Sequence, residues 1–290
     1  MTGAPVVVKV GGARAVDQGG TLSSIADLLT ERDAVVVHGG STAVDETLTE
    51  LGIEPEYVET PEGVVGRFTD AETMAVFEMV MPGRLNTDAV ARLRTAGVDA
   101  VGLSGLDGGL LSGPRSSAVR VQDGDRKRIR RGDHSGRIES VNADLLEGLL
   151  ADGHVPVISP PMAGRDDGAV VPVNTDSDRA AAAIAAALGA TLVVLTDVPG
   201  VLADPGDEGT LIERVATPDE WAEVTAAAEG FMQRKIMALE EALTGGARRA
   251  IVADATADRP ARAALYGGGT HVLPAAVGEP APESNAEAER

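Results

Sequence analysis

Short apolar segments and longer amphipathic segments alternate along most of the chain. Residues 6–10 and 34–38 are apolar runs rich in valine, and two glycines follow each of them. Short β-branched runs predict buried strands, whereas apolar positions that recur with a helical period predict helices. Amphipathic segments near residues 22–31 and 41–51 follow the two runs, so the chain begins as strand, helix, strand, helix.

The alternation continues to about residue 274. A capping-box pattern from Thr69 to Glu72 predicts a helix that reaches Met81, where Pro82 and Gly83 are expected to break it. Further helices are predicted up to residue 95 and at residues 143–151, 178–188, 218–227 and 232–244. Further strands are predicted at residues 98–103, 155–158, 191–196 and 248–253. This pattern predicts an α/β fold, a three-layer α/β/α sandwich around a mainly parallel central sheet.

Two regions depart from the alternation. Residues 113–139 are polar, contain glycine and are rich in arginine, which predicts a hairpin or flap. Residues 275–290 contain Pro, Glu and Ala without periodicity, which predicts a disordered tail.

Composition narrows the class of function. The 290 residues carry a formal net charge of -20, which argues against nucleic acid and anionic membrane surfaces as partners. The many acidic residues and few lysines are typical of a cytosol of very high salt, so a halophilic protein is expected. The sequence has no cysteine, which excludes disulfides and thiolate chemistry. No signal peptide precedes the first strand, and the longest uncharged run, residues 180–196, is shorter than the ~20 residues of a membrane helix, so we expect a cytoplasmic protein.

The sequence contains only three lysines, Lys9, Lys127 and Lys235. Lys9 lies inside an apolar strand, where an ammonium group needs a partner at the end of the strand. The glycines that end the first two strands allow sharp turns and close approach to a ligand. The carboxyl ends of parallel strands share one edge, where ligands bind. We therefore expect a phosphate cradle there, the alternative being two ordinary strand-to-helix turns.

Three further segments carry candidate chemistry. Residues 173–179 precede an alanine-rich helix, where Asp or Ser also serves as an ordinary helix cap. Residues 195–201 form a strand that enters a Pro-Gly turn. Residues 230–235 open a helix with Lys235 in its first turns, which suits a phosphate, although a solvated lysine is the alternative. Known phosphate-loop motifs are absent, and the four histidines are scattered, so no metal site is predicted.

Together these segments resemble the amino acid kinase family. The resemblance extends from residue 6 to about residue 273, and the motifs occur in the family's order. Within the family the chain is most similar to the acetylglutamate kinase branch, and more narrowly to the kinases that act on aminoadipate or glutamate carried on the small protein LysW. The motifs are residues 9–12, 38–40, 66–70, 102–105, 174–178, 196–201 and 230–235.

The resemblance implies ATP-dependent phosphorylation of a side-chain carboxylate, which gives an acyl phosphate in arginine or lysine biosynthesis. A carboxylate of pKa ~4.3 is already ionised at neutral pH and needs no general base. Catalysis then consists of positioning and charge neutralisation, and Mg²⁺ would travel with ATP and keep several waters. Residues 1–173, with the flap at 113–139, would form an acceptor-binding lobe, and residues 174–274 an ATP-binding lobe.

The resemblance also assigns roles to individual residues. Asp178 would hold the ammonium groups of Lys9 and Lys235, and these three are the expected catalytic residues. The expected substrate-binding residues are Gly39, Gly40, Arg67 and Asn174. The expected nucleotide-binding residues are Gly11, Gly12, Thr196, Asp197 and Val201. One departure is Ser41, which stands where acetylglutamate kinases usually have a third glycine.

Three features favour a carrier-bound acceptor. Phe68 stands where acetylglutamate kinases tend to have valine, and residues 103–108 and 133–139 resemble the carrier-dependent kinases. Residues 113–139 also hold eight basic and four acidic residues, a net charge of +4 in a chain of -20. Such a basic segment suits an acidic LysW-type carrier, with Arg128, Arg130 and Arg131 as candidate docking residues. The alternative is a hairpin whose arginines pair with nearby acids.

Other functions stay open at this point. A kinase for free N-acetyl-L-glutamate would share the reacting end of the substrate, and a catalytically silent amino-acid sensor would share the fold. The presence of both lysines and Asp178 argues against the silent sensor. Glutamate and aminoadipate differ by one methylene, worth only ~1–3 kcal/mol in a pocket, so the carried residue stays open. A homodimer is expected from the resemblance, with the helix at residues 70–81 near its interface.

Overall fold

The structure is a computed structural model that describes residues 4–11, 18–61, 63, 65–123, 126–204, 206–228 and 231–278. The strands in these ranges are β1 (Val6–Val10), β2 (Ala34–His38), β3 (Tyr57–Glu59), β4 (Val65–Arg67), β5 (Ala100–Gly105), β6 (Leu111–Asp123), β7 (Arg126–Gly136), β8 (Ser140–Val141), β9 (Val155–Asp166), β10 (Ala169–Val173), β11 (Thr191–Thr196), β12 (Arg214–Val215), β13 (Arg249–Asp254) and β14 (Thr270–Val272). The α-helices are α1 (Gln18–Glu31), α2 (Ser41–Glu50), α3 (Ala71–Glu78), α4 (Asn86–Thr95), α5 (Ala143–Ala151), α6 (Ser177–Ala187), α7 (Pro218–Ala227), α8 (Phe231–Thr244) and α9 (Pro260–Leu265).

A twelve-stranded sheet forms the centre of the molecule. Its main path runs β12-β14-β13-β11-β1-β2-β9-β6-β7, and β5 and β10 also pair with β9. The ladders of β1 with β11 and β2, of β11 with β13, and of β9 with β2 and β5 are parallel. Antiparallel pairs lie toward the ends, between β13 and β14 and between β6 and β7. The predicted mainly parallel sheet is confirmed.

Helices cover both faces of this sheet. Because successive strand residues point to opposite faces, Val6 and Val8 pack with α1, α4 and α9, whereas Val7 packs with α5 to α8. The predicted three-layer sandwich is therefore confirmed, and small Ala, Val and Leu side chains fill both interfaces as the low aromatic content requires. No helix within the described residues is long and apolar enough to span a membrane.

The predicted break at Pro82 is wrong. The chain stays helical through a π-helix, Met79–Leu85, that joins α3 to α4. Val80 and Met81 are buried against α2 and α3, and this packing keeps the wider turn in place around the proline, which has no N–H to donate. The cap of α3 is Asp70, whose carboxylate accepts the Thr73 N–H at 2.9 Å. Thr69, where the capping-box pattern begins, therefore does not cap this helix.

The prediction of a disordered tail from residue 275 is wrong for its first residues. A short 3-10 helix, Pro274–Val277, continues the fold, and Ala276 is buried in the core next to α7 and α8. Residues 279–290 lie outside the described residues.

Candidate active site

The carboxyl ends of β1, β2 and β11 lie side by side. Val10 of β1 is in register with His38 of β2 and with Leu195 of β11. The residues that follow, Gly11 and Gly39, therefore sit at one edge of the sheet next to Thr196, as expected for a ligand-binding edge. Gly12 was also assigned to this edge, but it lies outside the described residues.

Lys9, Asp178 and Lys235 meet at this edge. The Lys9 Nζ lies 2.7 Å from Asp178 Oδ1, and the Lys235 Nζ lies 3.5 Å from Oδ2 of the same carboxylate. Lys9 is 3% exposed and Asp178 is 7% exposed, so the contact is buried. Three residues from three distant parts of the sequence thus form one cluster with two cations and a single anion.

Local structure explains why Asp178 is available to the lysines. It stands in the first turn of α6, and the preceding cap is a different carboxylate, Asp176, which accepts the N–H groups of Asp178 and Arg179 at 2.8 and 3.2 Å. The cap of the helix and the carboxylate that contacts the lysines are therefore two different residues, Asp176 and Asp178. Lys235 comes from the first turns of α8, which packs against α6.

The cluster perturbs the pKa values of its members. Burial alone would raise the pKa of Asp178, but the charges of Lys9 and Lys235 outweigh it and hold that pKa below its ordinary value. Burial lowers the pKa of Lys235, the negative charge of Asp178 opposes this, and the nearby Lys9 adds to it. The carboxylate thus stays ionised at neutral pH, and its negative charge is in direct contact with both ammonium groups.

At the second glycine turn, the Gly39 N–H donates to the Val10 carbonyl at 3.2 Å and extends the strand ladder. A Cβ on Gly40 would lie 2.3 Å from Leu85 and 2.6 Å from Met81, so a larger residue there would displace these side chains. Helix α2 begins directly after Gly40 without a side-chain cap, and such a helix start is suited to an anion.

Arg67 lies beside the start of α2. Its guanidinium forms an ion pair with Asp45 and donates to the Ser41 carbonyl at 3.0 Å and to the Tyr57 hydroxyl at 3.2 Å. The charge of Arg234, the neighbour of Lys235 on α8, also reaches Tyr57, whose pKa is raised chiefly by burial. Asp45 and Tyr57 were not predicted from the sequence, where their signal was the recurrence of polar residues on α2 and β3.

Asn174, at the end of β10, is linked to the arginine-rich hairpin. Its Nδ2 donates to Thr69 Oγ1 at 3.0 Å, and its backbone N–H donates to the His134 carbonyl at 2.7 Å. The buried carboxylate of Asp133 accepts the Thr69 N–H at 3.0 Å. From the sequence, Thr69 was expected only to open a capping box, and Asp133 was only part of a motif.

The residues expected near the nucleotide lie at the end of β11 and in the turn after it. Thr196 is buried, and its hydroxyl donates to Asp197 Oδ1 at 3.0 Å. The Val201 N–H donates to Thr270 Oγ1 at 2.8 Å, which ties the Pro-Gly turn to β14. A Cβ on Gly200 would lie 2.6 Å from the same hydroxyl, so this turn requires glycine. The turn therefore has a fixed shape beside the edge that holds Lys9.

The predicted hairpin is confirmed as β6 and β7, but its three candidate docking arginines differ. Arg130 forms an ion pair with Glu56 and stacks 3.8 Å above the Phe68 ring. Arg128 and Arg131 are exposed, and strand alternation puts them on opposite faces of the hairpin. The alternative of a structural ion pair thus applies to Arg130.

No group of three His, Asp or Glu side chains in the described ranges is placed to hold a metal ion. The donors at the edge are instead cations and a helix start, which match the phosphates of a nucleotide. Any Mg²⁺ that arrives bound to such phosphates would take its coordination from phosphate and water.

Comparison with known proteins identifies the family of this chain. The LysW-aminoadipate kinase of Thermus thermophilus is 40% identical over 274 residues, which cover 92% of this chain and 99% of that protein. An acetylglutamate kinase of Methanopyrus kandleri is 43% identical over 248 residues, which cover 85% and 93%. N-acetylglutamate synthase of Neisseria gonorrhoeae, complexed with coenzyme A and N-acetyl-glutamate, superimposes with a TM-score of 0.72 at 25% identity, over 93% of this chain and 59% of that one. Residues 4–254 match the family model, and the chain belongs to the amino acid kinase family.

Proposed function

We propose that this protein transfers the γ-phosphoryl group of ATP to the side-chain carboxylate of glutamate or aminoadipate carried on an acidic LysW-type protein. The product is an acyl phosphate, an intermediate of arginine or lysine biosynthesis. A kinase for free N-acetyl-L-glutamate is the second candidate, because a relative named acetylglutamate kinase is 43% identical. A catalytically silent amino-acid sensor transfers no phosphoryl group, so it would not need the buried contact of Lys9, Asp178 and Lys235.

That buried contact is the observation that carries the proposal. Two ammonium groups on one carboxylate leave a local excess of positive charge beside the sheet edge. The acceptor carboxylate and the γ-phosphate are both anions, so the barrier to be lowered is their mutual repulsion. Lys9 and Lys235 would flank the transferring phosphoryl group, and Asp178 would hold them in place without taking part in proton transfer.

The remaining residues would position the two substrates. Mg²⁺ on ATP would neutralise phosphate charge and orient the leaving group. Gly40 and the uncapped start of α2 would meet an acceptor or phosphate oxygen, and Gly11 would lie close to the phosphates. Thr196, Asp197 and Val201, whose turn is fixed by Thr270, would contact the nucleotide.

Arg67 would bind the free α-carboxylate of the acceptor. Asp45, Ser41 and Tyr57 occupy part of its donor set and fix the plane of the guanidinium. These contacts use three of the five N–H groups of the guanidinium, and those that are left would donate to the α-carboxylate. Asn174, tied to Thr69, would hydrogen-bond near the α-amide of the acceptor.

Two features support a carrier-bound acceptor. Arg128 and Arg131 remain exposed on a basic hairpin in a strongly acidic protein, which suits docking of an acidic partner. Relatives from Thermus thermophilus and Deinococcus radiodurans, each 40% identical, are named LysW-aminoadipate kinase. We also propose a homodimer and a cytosol of high salt. Met79, 57% exposed at the junction of α3 and the π-helix, is a candidate contact of that dimer.

An ATP-consumption assay with three acceptors tests the proposal. Purified carrier ending in glutamate, carrier ending in aminoadipate, and free N-acetyl-L-glutamate are offered to the wild-type enzyme at equal concentrations. We expect kcat/KM to be at least ~10-fold higher for a carrier than for the free compound, because docking adds binding energy away from the reacting carboxylate. Equal or better use of free N-acetyl-L-glutamate would establish the second candidate instead.

Charge reversal on the hairpin tests the docking step. We expect the double variant Arg128→Glu, Arg131→Glu to lower kcat/KM for the carrier and to speed carrier dissociation, while the KM for ATP stays unchanged. In molar salt the Debye length is only ~3 Å, so direct contacts are affected more than long-range steering. Arg130 is left intact, because reversing it would set two negative charges against each other at Glu56.

The matched control is Arg32→Glu, a reversal of an exposed arginine at the amino end of β2, the opposite end from the site. Carrier binding kinetics are measured for wild type, double variant and control at high salt. A dissociation rate that is the same in all three proteins would remove the hairpin from the docking surface.

A further inference from the structure

A buried chain of hydrogen bonds leads from the hairpin to Asn174. Asp133 of β7 is 3% exposed, and its Oδ1 accepts the Thr69 N–H at 3.0 Å while the other oxygen accepts the Ser135 hydroxyl. Arg115 donates twice to the Asp133 carbonyl, at 3.1 and 3.0 Å, which fixes the backbone at this point. A buried carboxylate is costly unless it is satisfied, so its two acceptor bonds hold Thr69 firmly in place.

Thr69 in turn contacts Asn174 and restrains its side chain. Thr69 is fully buried, and its hydroxyl oxygen accepts the Asn174 Nδ2 group at 3.0 Å. The backbones are joined as well, since the His134 N–H donates to the Thr69 carbonyl and the Asn174 N–H donates to the His134 carbonyl, both at 2.7 Å. With Nδ2 engaged in this way, the carboxamide presents its other atom, Oδ1, as a hydrogen-bond acceptor.

An acceptor oxygen at this position has a chemical consequence. It attracts an N–H group and repels a carboxylate or an ester oxygen. The donors that a carboxylate needs are on Arg67, beside the start of α2, whereas Asn174 lies four residues before Asp178. Arg67 therefore offers hydrogen-bond donors, which suit the α-carboxylate of the substrate. Asn174 offers an acceptor, which suits an N–H on the other substituent of the α-carbon.

We propose that Asp133 and Thr69 are positioning residues that lock the Asn174 carboxamide with Oδ1 toward the acceptor, so that the site selects an acceptor whose α-substituent carries an N–H. The proposal rests on the proposed function, because it concerns the acceptor of that reaction. This inference extends the proposed function, because it assigns the selection of an amide-linked acceptor to two residues, Asp133 and Thr69, that do not themselves contact the substrate.

The test compares an amide with its ester. Wild type and variants are assayed with N-acetyl-L-glutamate and with its ester analogue 2-acetoxyglutarate, and with carrier whose last bond is either an amide or an ester. We expect wild type to prefer the amide by about tenfold or more in kcat/KM, the effect of one hydrogen bond to a buried acceptor. Thr69→Val keeps the shape but removes the hydroxyl, so Asn174 is free to turn, and the preference should fall to about threefold or less.

Two further variants separate orientation from general damage. Thr69→Ser retains the hydroxyl and should retain the amide preference, and Asp133→Asn should reduce it while raising the acceptor KM more than it lowers kcat. The KM for ATP should stay unchanged in all three. If Thr69→Val does not fold, as judged by circular dichroism, the same ratio measured on Asp133→Asn decides the matter.

An unchanged amide-to-ester ratio in a folded Thr69→Val protein would overturn the proposal, even if activity with both acceptors fell by the same factor. Because the small-molecule pair and the carrier pair are assayed separately, failure of this inference can be distinguished from failure of the proposed function. If wild type uses free N-acetyl-L-glutamate but not the carrier, the carrier assignment fails, while the small-molecule pair still tests the orientation of Asn174.

Discussion

Lys9→Met is expected to lower kcat by ~10²-fold or more while the KM values for ATP and acceptor change much less. The ammonium lies at the end of β1 next to Asp178 and interacts most strongly when charge builds up on the transferring phosphoryl group. Methionine keeps most of the length and apolar character of the buried stem, so the strand should stay packed. Asp178 also keeps a cation, because Lys235 contacts its other oxygen.

Steady-state kinetics with saturating ATP and acceptor measure this effect. Lys235→Met should give a loss of similar size, whereas Arg32→Met, which removes one positive charge from the exposed surface, should leave kcat near the wild-type value. A Lys9→Met enzyme with near-normal kcat would show that this lysine serves the fold and not the phosphoryl transfer.

The sequence was most informative where a residue conflicts with its surroundings. A lysine within Val6–Val10 is incompatible with burial unless a partner exists, and this conflict identified Lys9 before any contact was known. Strand and helix positions also followed from local pattern, and β11 (Thr191–Thr196) and α7 (Pro218–Ala227) begin and end where the pattern predicted. Local chemistry decides such elements, because their burial depends on the period of their own apolar residues.

Features that depend on distant partners could not be predicted in the same way. Arg130 belongs to a basic strand in the sequence, but its partners Glu56 and Phe68 lie more than sixty residues earlier. The helix did not break at Pro82, because packing by α2 and α3 outweighed the local preference. The hydrogen bonds from Asp133 through Thr69 to Asn174 join three distant segments. The motifs in these segments indicate the family, but they do not indicate the direction in which the Asn174 carboxamide points.

Asp178→Asn is expected to be the most destabilising single change at the site. The variant keeps the shape of the side chain but leaves two buried ammonium groups without their counter-ion, a situation that costs ~3–5 kcal/mol. Against a typical free energy of unfolding of ~5–15 kcal/mol, that loss is a large fraction. Urea unfolding at neutral pH measures it, and Asp152→Asn, at an exposed helix end, is the matched control.

The pH dependence of this loss identifies its electrostatic origin. In wild type the pKa of Asp178 is lowered, so its stabilising charge is present above the ordinary carboxyl pKa and is lost only as pH falls through the lowered value. Burial already lowers the pKa of Lys235, and removing Asp178 removes the charge that opposed this lowering. As pH rises, the variant's lysine therefore loses its proton earlier than in wild type, and its burial becomes less costly. The difference in stability between the two proteins should narrow steadily from neutral to alkaline pH, whereas a difference that stays constant with pH would indicate a loss of packing instead.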